Sequence, residues 1–210
     1  EDVLRTIAPI GWLLVVSSVV EWFLASKLPN KMLSKSQKKF DFKKYLHGVY
    51  LYKNLKIVKR KKEIFDSIIA ISLFWSISQV VLAVFGEYAK SELNVTNTIL
   101  VQGVMALAGI GIVIGSIIAS KLSRYYINTG FSTIGALGIV FVVFLIPVLP
   151  SMKFVAVAFT LFGVFAGFLL VSLNSLIQYL SPNVHLGTIL AGNNFIQNIF
   201  MFVSLALTTI

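Results

Sequence analysis

The chain has 210 residues, 57% of them hydrophobic and only 12% charged, against roughly 25% charged in a soluble domain, so a soluble globular fold is excluded. No cysteine is present, which excludes disulfides, thiolate metal sites and thiol catalysis, and two isolated histidines make no metal site; no cofactor is expected. The net charge of +10 is local: 13 of the 18 Lys and Arg lie between Lys27 and Lys62, opposed by Asp41 alone, which reads as a membrane-topology signal and not as a nucleic-acid patch.

Crossing a hydrocarbon core of about 30 Å takes roughly 20 helical residues. Six segments are predicted to do so: Ile7 to Ser26, Ile64 to Phe85, Ile99 to Ser120, Phe131 to Leu149, Phe154 to Leu180, and Thr188 to the end. The expected fold is therefore an all-α membrane protein of about six transmembrane helices. Residues 1–28 form a leading span, 29–63 a basic cytoplasmic linker, and 64–210 a five-helix bundle. A start on Glu1 and an end inside an apolar segment lead to the expectation of a piece of a longer protein.

The linker opens at Pro29, which stops the first helix. Phe42, Tyr45, Leu46, Val49 and Tyr52 then recur at helical spacing. They predict a short amphipathic helix on the anionic inner leaflet, with a solvated linker as the alternative. Placing the linker in the cytoplasm brings Lys121 and Arg124 inside as well and leaves Arg5, Lys90 and Lys153 outside, a bias of 15 to 3.

The third span carries Gly111, Gly115 and Ala119 four residues apart, a face that lets a neighbouring helix approach closely. The fifth repeats the device at Gly163 and Gly167, and its stripe continues through Asn174 and Gln178. The sixth concentrates Asn193, Asn194, Gln197 and Asn198 within two turns. An unpaired amide in hydrocarbon costs several kcal/mol, so these groups are expected to meet one another, or a wet cavity, across adjacent helices. Gln79, buried by position in the second span, and Trp75 join them as candidate substrate-binding residues. Phe195, Phe165 and Trp75 are candidates for an apolar groove, and ordinary core packing is the alternative for each. A mid-membrane carboxylate for proton relay is not visible.

Enzyme signatures fail on inspection. The acyltransferase pattern of His followed five residues later by Asp meets Tyr52 after His47 and Leu190 after His185, and no P-loop, dinucleotide glycine run or nucleophile elbow is present.

Six spans, a long basic loop after the first and a short basic loop after the third resemble the second half of a major facilitator superfamily transporter preceded by one further span. "GSIIASKLSRYY" is similar to that superfamily's cytoplasmic loop motif. Lys121 and Arg124 hold its basic positions, while Ser120 replaces the usual acid and Ser123 the usual glycine. "SLFW" (Ser72 to Trp75) and "GFLLVSLNSLIQYLSPNVHLGTILAGNNFIQNIFM" (Gly167 to Met201) together resemble the lysophospholipid transporter family, which includes forms fused to acyltransferase domains. Ser172 stands where that family has proline, and Leu82 where stand-alone members have a cation.

The resemblance implies a bacterial inner-membrane protein that moves lysophospholipid inward for reacylation. Its implied partners are membrane lipids, the N-terminal half of the same transporter and a fused acyltransferase domain, with no nucleic acid. A facilitator for another amphipathic solute or drug, and a membrane anchor for a fused acyltransferase, are the alternatives. The topology is directly testable because no native cysteine interferes. Ser36→Cys is expected to react with an impermeant thiol reagent only in inverted vesicles and Ser91→Cys only in intact cells, and labelling of Ser36→Cys from outside would refute the orientation.

Overall fold

The computed structural model describes residues 2–27 and 41–208; within the first helix, side chains are described at Trp12 and from Val15 onward. The chain forms two compact units, divided after Phe40. The first contains α1, Asp2–Ser26, which covers the first predicted span. At its end the Lys27 ammonium lies 4.4 Å from the centre of the Phe23 ring. The predicted stop at Pro29 and the rest of residues 28–40 lie outside the described residues.

The second unit begins with what remains of the basic stretch. The expected amphipathic helix is two helices, α2 (Phe42–Leu46) and α3 (Val49–Val58), because Gly48 takes a left-handed conformation with φ of 66°. Asp41 caps α2, its carboxylate accepting from the backbone N–H groups of Lys43 and Lys44. The Lys44 ammonium, 3.0 Å away, hydrogen-bonds the same carboxyl and holds its pKa below the ordinary value. Phe42, Tyr45, Leu46 and Tyr52 are exposed, an apolar surface that suits a membrane interface. At the other end of α3, Val58 is fully buried.

Five spans follow: α4 (Lys62–Ser91), α5 (Thr98–Leu122), α6 (Gly130–Leu145), α7 (Met152–Leu180) and α8 (Leu186–Thr208). All are long and apolar enough to cross a membrane, α6 with the short 3-10 turn Ile146–Val148 that follows it. That turn ends the fourth predicted span early, since Pro147 has no N–H to continue the helix. At 29 residues α7 measures about 43 Å, enough to tilt or protrude. The fold is all-α, with no strand among the described residues.

The packing centres on α7. It pairs most extensively with α5, then α6, then α4, while α8 lies against α4 and α3. The α5–α7 contact is built from the small residues. A Cβ on Gly111 would clash with the Thr160 carbonyl, one on Gly115 with the Val164 carbonyl and one on Gly163 with the Ala108 carbonyl; one on Gly167 would sit 2.6 Å from the Ser116 nitrogen. The two backbones therefore touch, as the spacing by four predicts. On its second face, α7 receives Gly135 and Gly138 of α6 against Phe165 and Leu169. On its third, Phe162 stacks with Phe74 of α4, and Phe159 meets Phe85 of α4 at a tilt.

Long-range hydrogen bonds fix which ends lie together. Lys61 Nζ donates to the Leu180 carbonyl at 2.8 Å, and Ser172 Oγ to the Asn128 carbonyl at 3.3 Å, so the linker, the α5–α6 loop and the end of α7 share one face of the bundle. At the other end Tyr88 donates to the Ile146 carbonyl. The spans alternate in direction accordingly. Within this unit the basic face collects the linker cations with Lys121 and Arg124, and Lys90 and Lys153 remain opposite.

The glycine contact sets the expected cost of substitution. Gly163→Val must push two backbones apart and is expected to destabilise the protein by about 3 kcal/mol or more, at the upper end for overpacking. Gly109→Ala, where a Cβ meets nothing within 4 Å, is expected to be neutral. Thermal unfolding of both variants in detergent checks this.

Candidate functional site

The polar residues singled out from sequence fall on three helices. Trp75 and Gln79 are half-buried on α4, Asn174 and Gln178 lie toward the basic end of α7, and the other four lie in the first half of α8. The amides of α7 and α8 do not meet one another, the first of the two arrangements expected. α4 packs against both α7 and α8, whereas α7 and α8 are not a packed pair, so the amides of the fifth and sixth spans do not pair across an α7–α8 interface.

Asn174, Gln197 and Asn198 instead turn back along their own helices. Asn174 Nδ2 donates to the Leu170 carbonyl at 2.8 Å, Asn198 Nδ2 to the Asn194 carbonyl at 2.8 Å, and Gln197 Nε2 to Asn193 Oδ1 at 2.7 Å. The hydroxyls of Ser67, Ser72, Ser78 and Thr160 do the same with carbonyls one turn earlier. The reason is local. The carbonyl four residues back is within reach whatever helix lies beside it, so a polar side chain in lipid is satisfied without an interhelical register.

Position on α8 separates the four amides. Asn193 is only 4% exposed and belongs to the buried face Ile189, Gly192, Asn193, Ile196. Gly192 owes its identity to α3, since a Cβ there would lie 2.7 Å from Val58 Cγ2. Asn194 and Asn198 are exposed, and Gln197 is half-buried between the two faces, hydrogen-bonded to Asn193. Phe195, 37% exposed, lines a groove of about 480 Å³ with Tyr45, Leu46, Leu51 and Asn54 of α2 and α3. Of the other groove candidates, Phe165 packs between α6 and α7 against Gly138 and Phe168, and Trp75 packs against Phe74.

One polar group escaped the sequence reading. Ser76 Oγ is buried on α4 with no hydrogen-bond partner among the described residues, between Trp75 and Gln79. An orphaned buried hydroxyl is uncommon and costs about 1–3 kcal/mol. The run Ser72, Ser76, Gln79 at helical spacing carried that signal. The loop motif residues Lys121 and Arg124 sit at the end of α5 and in the α5–α6 connection. No cluster of metal-binding side chains occurs among the described residues.

A bundle of apolar helices that alternate in direction, with self-satisfied polar side chains on three of them, defines a multi-pass membrane protein of the transporter class. The chain belongs to the Major Facilitator Superfamily, whose family model matches residues 5–205. Neither a curated protein nor a solved structure matches the chain.

The α8 amide pair admits a direct energetic test. A double-mutant cycle on Asn193→Leu and Gln197→Leu, read by thermal unfolding, is expected to give a coupling of about 0.6 kcal/mol, the average for polar pairs in membranes. Zero coupling would mean that the two side chains are satisfied separately.

Proposed function

We propose that this chain forms part of a transporter that moves a lysophospholipid across the bacterial inner membrane for reacylation. The observation that carries the reading is the exposed amide face of α8. Asn194 and Asn198 present polar groups that take no part in helix packing, beside the exposed ring of Phe195 and close along the sequence to the apolar Ile199 and Phe202. A single-chain lipid needs this combination: amides that replace water around a headgroup, and apolar surface along which one acyl chain can remain in a lipid-like setting. The likeness of Gly167 to Met201 to the lysophospholipid transporter family supports the same substrate class, and membership of the superfamily supports transport. In such transporters the substrate passes between two halves, so the N-terminal half of the same protein supplies the facing wall. A fused acyltransferase would consume the delivered lipid.

Asn194→Leu combined with Gln197→Leu in the full-length protein is expected to lower transport about tenfold or more, a loss of roughly 1.4 kcal/mol of interaction with the moving headgroup. Stability should shift by no more than about 0.6 kcal/mol for the one side-chain bond lost. Reacylation of externally supplied lysophosphatidylethanolamine measures the first and thermal unfolding the second. Transport at the wild-type rate by the double variant would refute the role of the α8 amides.

A further inference from the structure

The transport reading leaves Lys121 and Arg124 without a task. The acid usual in the loop motif is replaced by Ser120, and Arg124 makes no ion pair among the described residues. Its guanidinium lies only near the Tyr125 ring, 6.0 Å from the centroid. Arg124 lines a cleft of about 570 Å³ between the α5–α6 loop and the last turns of α7. Ser123, Tyr126 and Tyr179 contribute hydroxyls to it, Leu176 and Leu180 an apolar wall, and no carboxylate lines it. A second cation, Lys61, does not line the cleft, but its Nζ holds at 2.8 Å the carbonyl of Leu180, which does.

We propose that this cleft is a binding site for the phosphate ester of an anionic phospholipid in the leaflet on the basic side of the membrane. The donor set matches that chemistry. A guanidinium fork suits phosphate oxygens, tyrosine and serine hydroxyls donate to the remaining lone pairs, and the Lys61 ammonium has two donors left after its bond to Leu180. The surroundings select the lipid over a soluble phosphate. Tyr125, Tyr126 and Tyr179 are all exposed, as tyrosines at a headgroup layer are, and Leu176 and Leu180 continue from the polar rim along α7 toward the hydrocarbon. Net charge on this face is strongly positive, and an anionic leaflet is attracted to it. The assignment is independent of the solute transported.

The test places p-benzoylphenylalanine at Tyr126 of the full-length protein, reconstituted in vesicles of equal parts phosphatidylglycerol and phosphatidylcholine, and identifies the photo-crosslinked lipid by mass spectrometry. Phosphatidylglycerol is expected to be captured in about tenfold excess, and Arg124→Gln to abolish the excess, with Arg124→Lys between the two because it keeps the charge and loses the fork. Lys61→Gln, acting from a different element, is expected to weaken the same capture. Glycerol 3-phosphate added in excess should leave capture unchanged. Equal capture of the two lipids by the unsubstituted cleft, or an undiminished preference in both Arg124→Gln and Lys61→Gln, would overturn the proposal. Suppression of capture by glycerol 3-phosphate would also overturn it, assigning the cleft to a soluble phosphate.

Discussion

Helices in a bilayer gain little by turning apolar surface toward one another, because lipid tails are as apolar as leucine; what holds them is contact at short range. The pairing of α5 with α7 meets that demand by dispensing with side chains at Gly111, Gly115, Gly163 and Gly167, so that backbone meets backbone. The rest of the bundle is arranged around this contact. Once α5 occupies one face of α7, α6 takes the second through Gly135 and Gly138, and α4 takes the third through aromatic contacts at Phe74 and Phe85. α8 is then left to α4 and α3.

This order has a consequence for the polar residues. With α4 packed against both α7 and α8, the amides of those two helices share no packed interface, and Asn174, Gln197 and Asn198 turn to the carbonyl or side chain one turn earlier on their own helix. Self-satisfaction lets a polar residue sit in a lipid-facing or cavity-facing position at modest cost, ready to exchange an intrahelical bond for one to a solute. Asn193 is different. Its burial on the α4-facing side, with Gln197 bonded to its oxygen, makes it part of the packing from which the exposed Asn194 and Asn198 project. Ser76, buried and unpaired in the same bundle, is a place where the helix surface holds unspent polar capacity.

Charge organises one end of the bundle. Among the described residues the cations from Lys43 to Lys62 share one face with Lys121 and Arg124, because Lys61 is tied to the Leu180 carbonyl of α7 and the α5–α6 loop is tied to Ser172. Lys61 also suits the negative end of a long helix dipole. The short helices α2 and α3 are drawn into the same unit: Val58 fills the space that Gly192 leaves open, which brings the amphipathic elbow against the amide-bearing end of α8. The apolar surface of α2 and α3, the amide-bearing part of α8 and the basic loop thus meet at one end of the bundle.

Much of this was legible in the residues themselves. The existence and extent of the spans, the basic face and the close-contact stripes follow from composition and from spacing along one helix, both local properties that survive whatever the neighbours are. Even Gly48, the break between α2 and α3, lay in plain view, although the run of apolar positions across it reads as one helix. Partner choice was not legible in the same way. That the Gly111 stripe meets the Gly163 stripe, that α4 separates α7 from α8, and that Arg124 faces Tyr179 across a cleft are decided by surfaces tens of residues apart, each of which could have packed elsewhere. The amides show the distinction most clearly: their number on α8 is written in the sequence, but their hydrogen bonds run along the helix because the tertiary packing placed no matching helix opposite them.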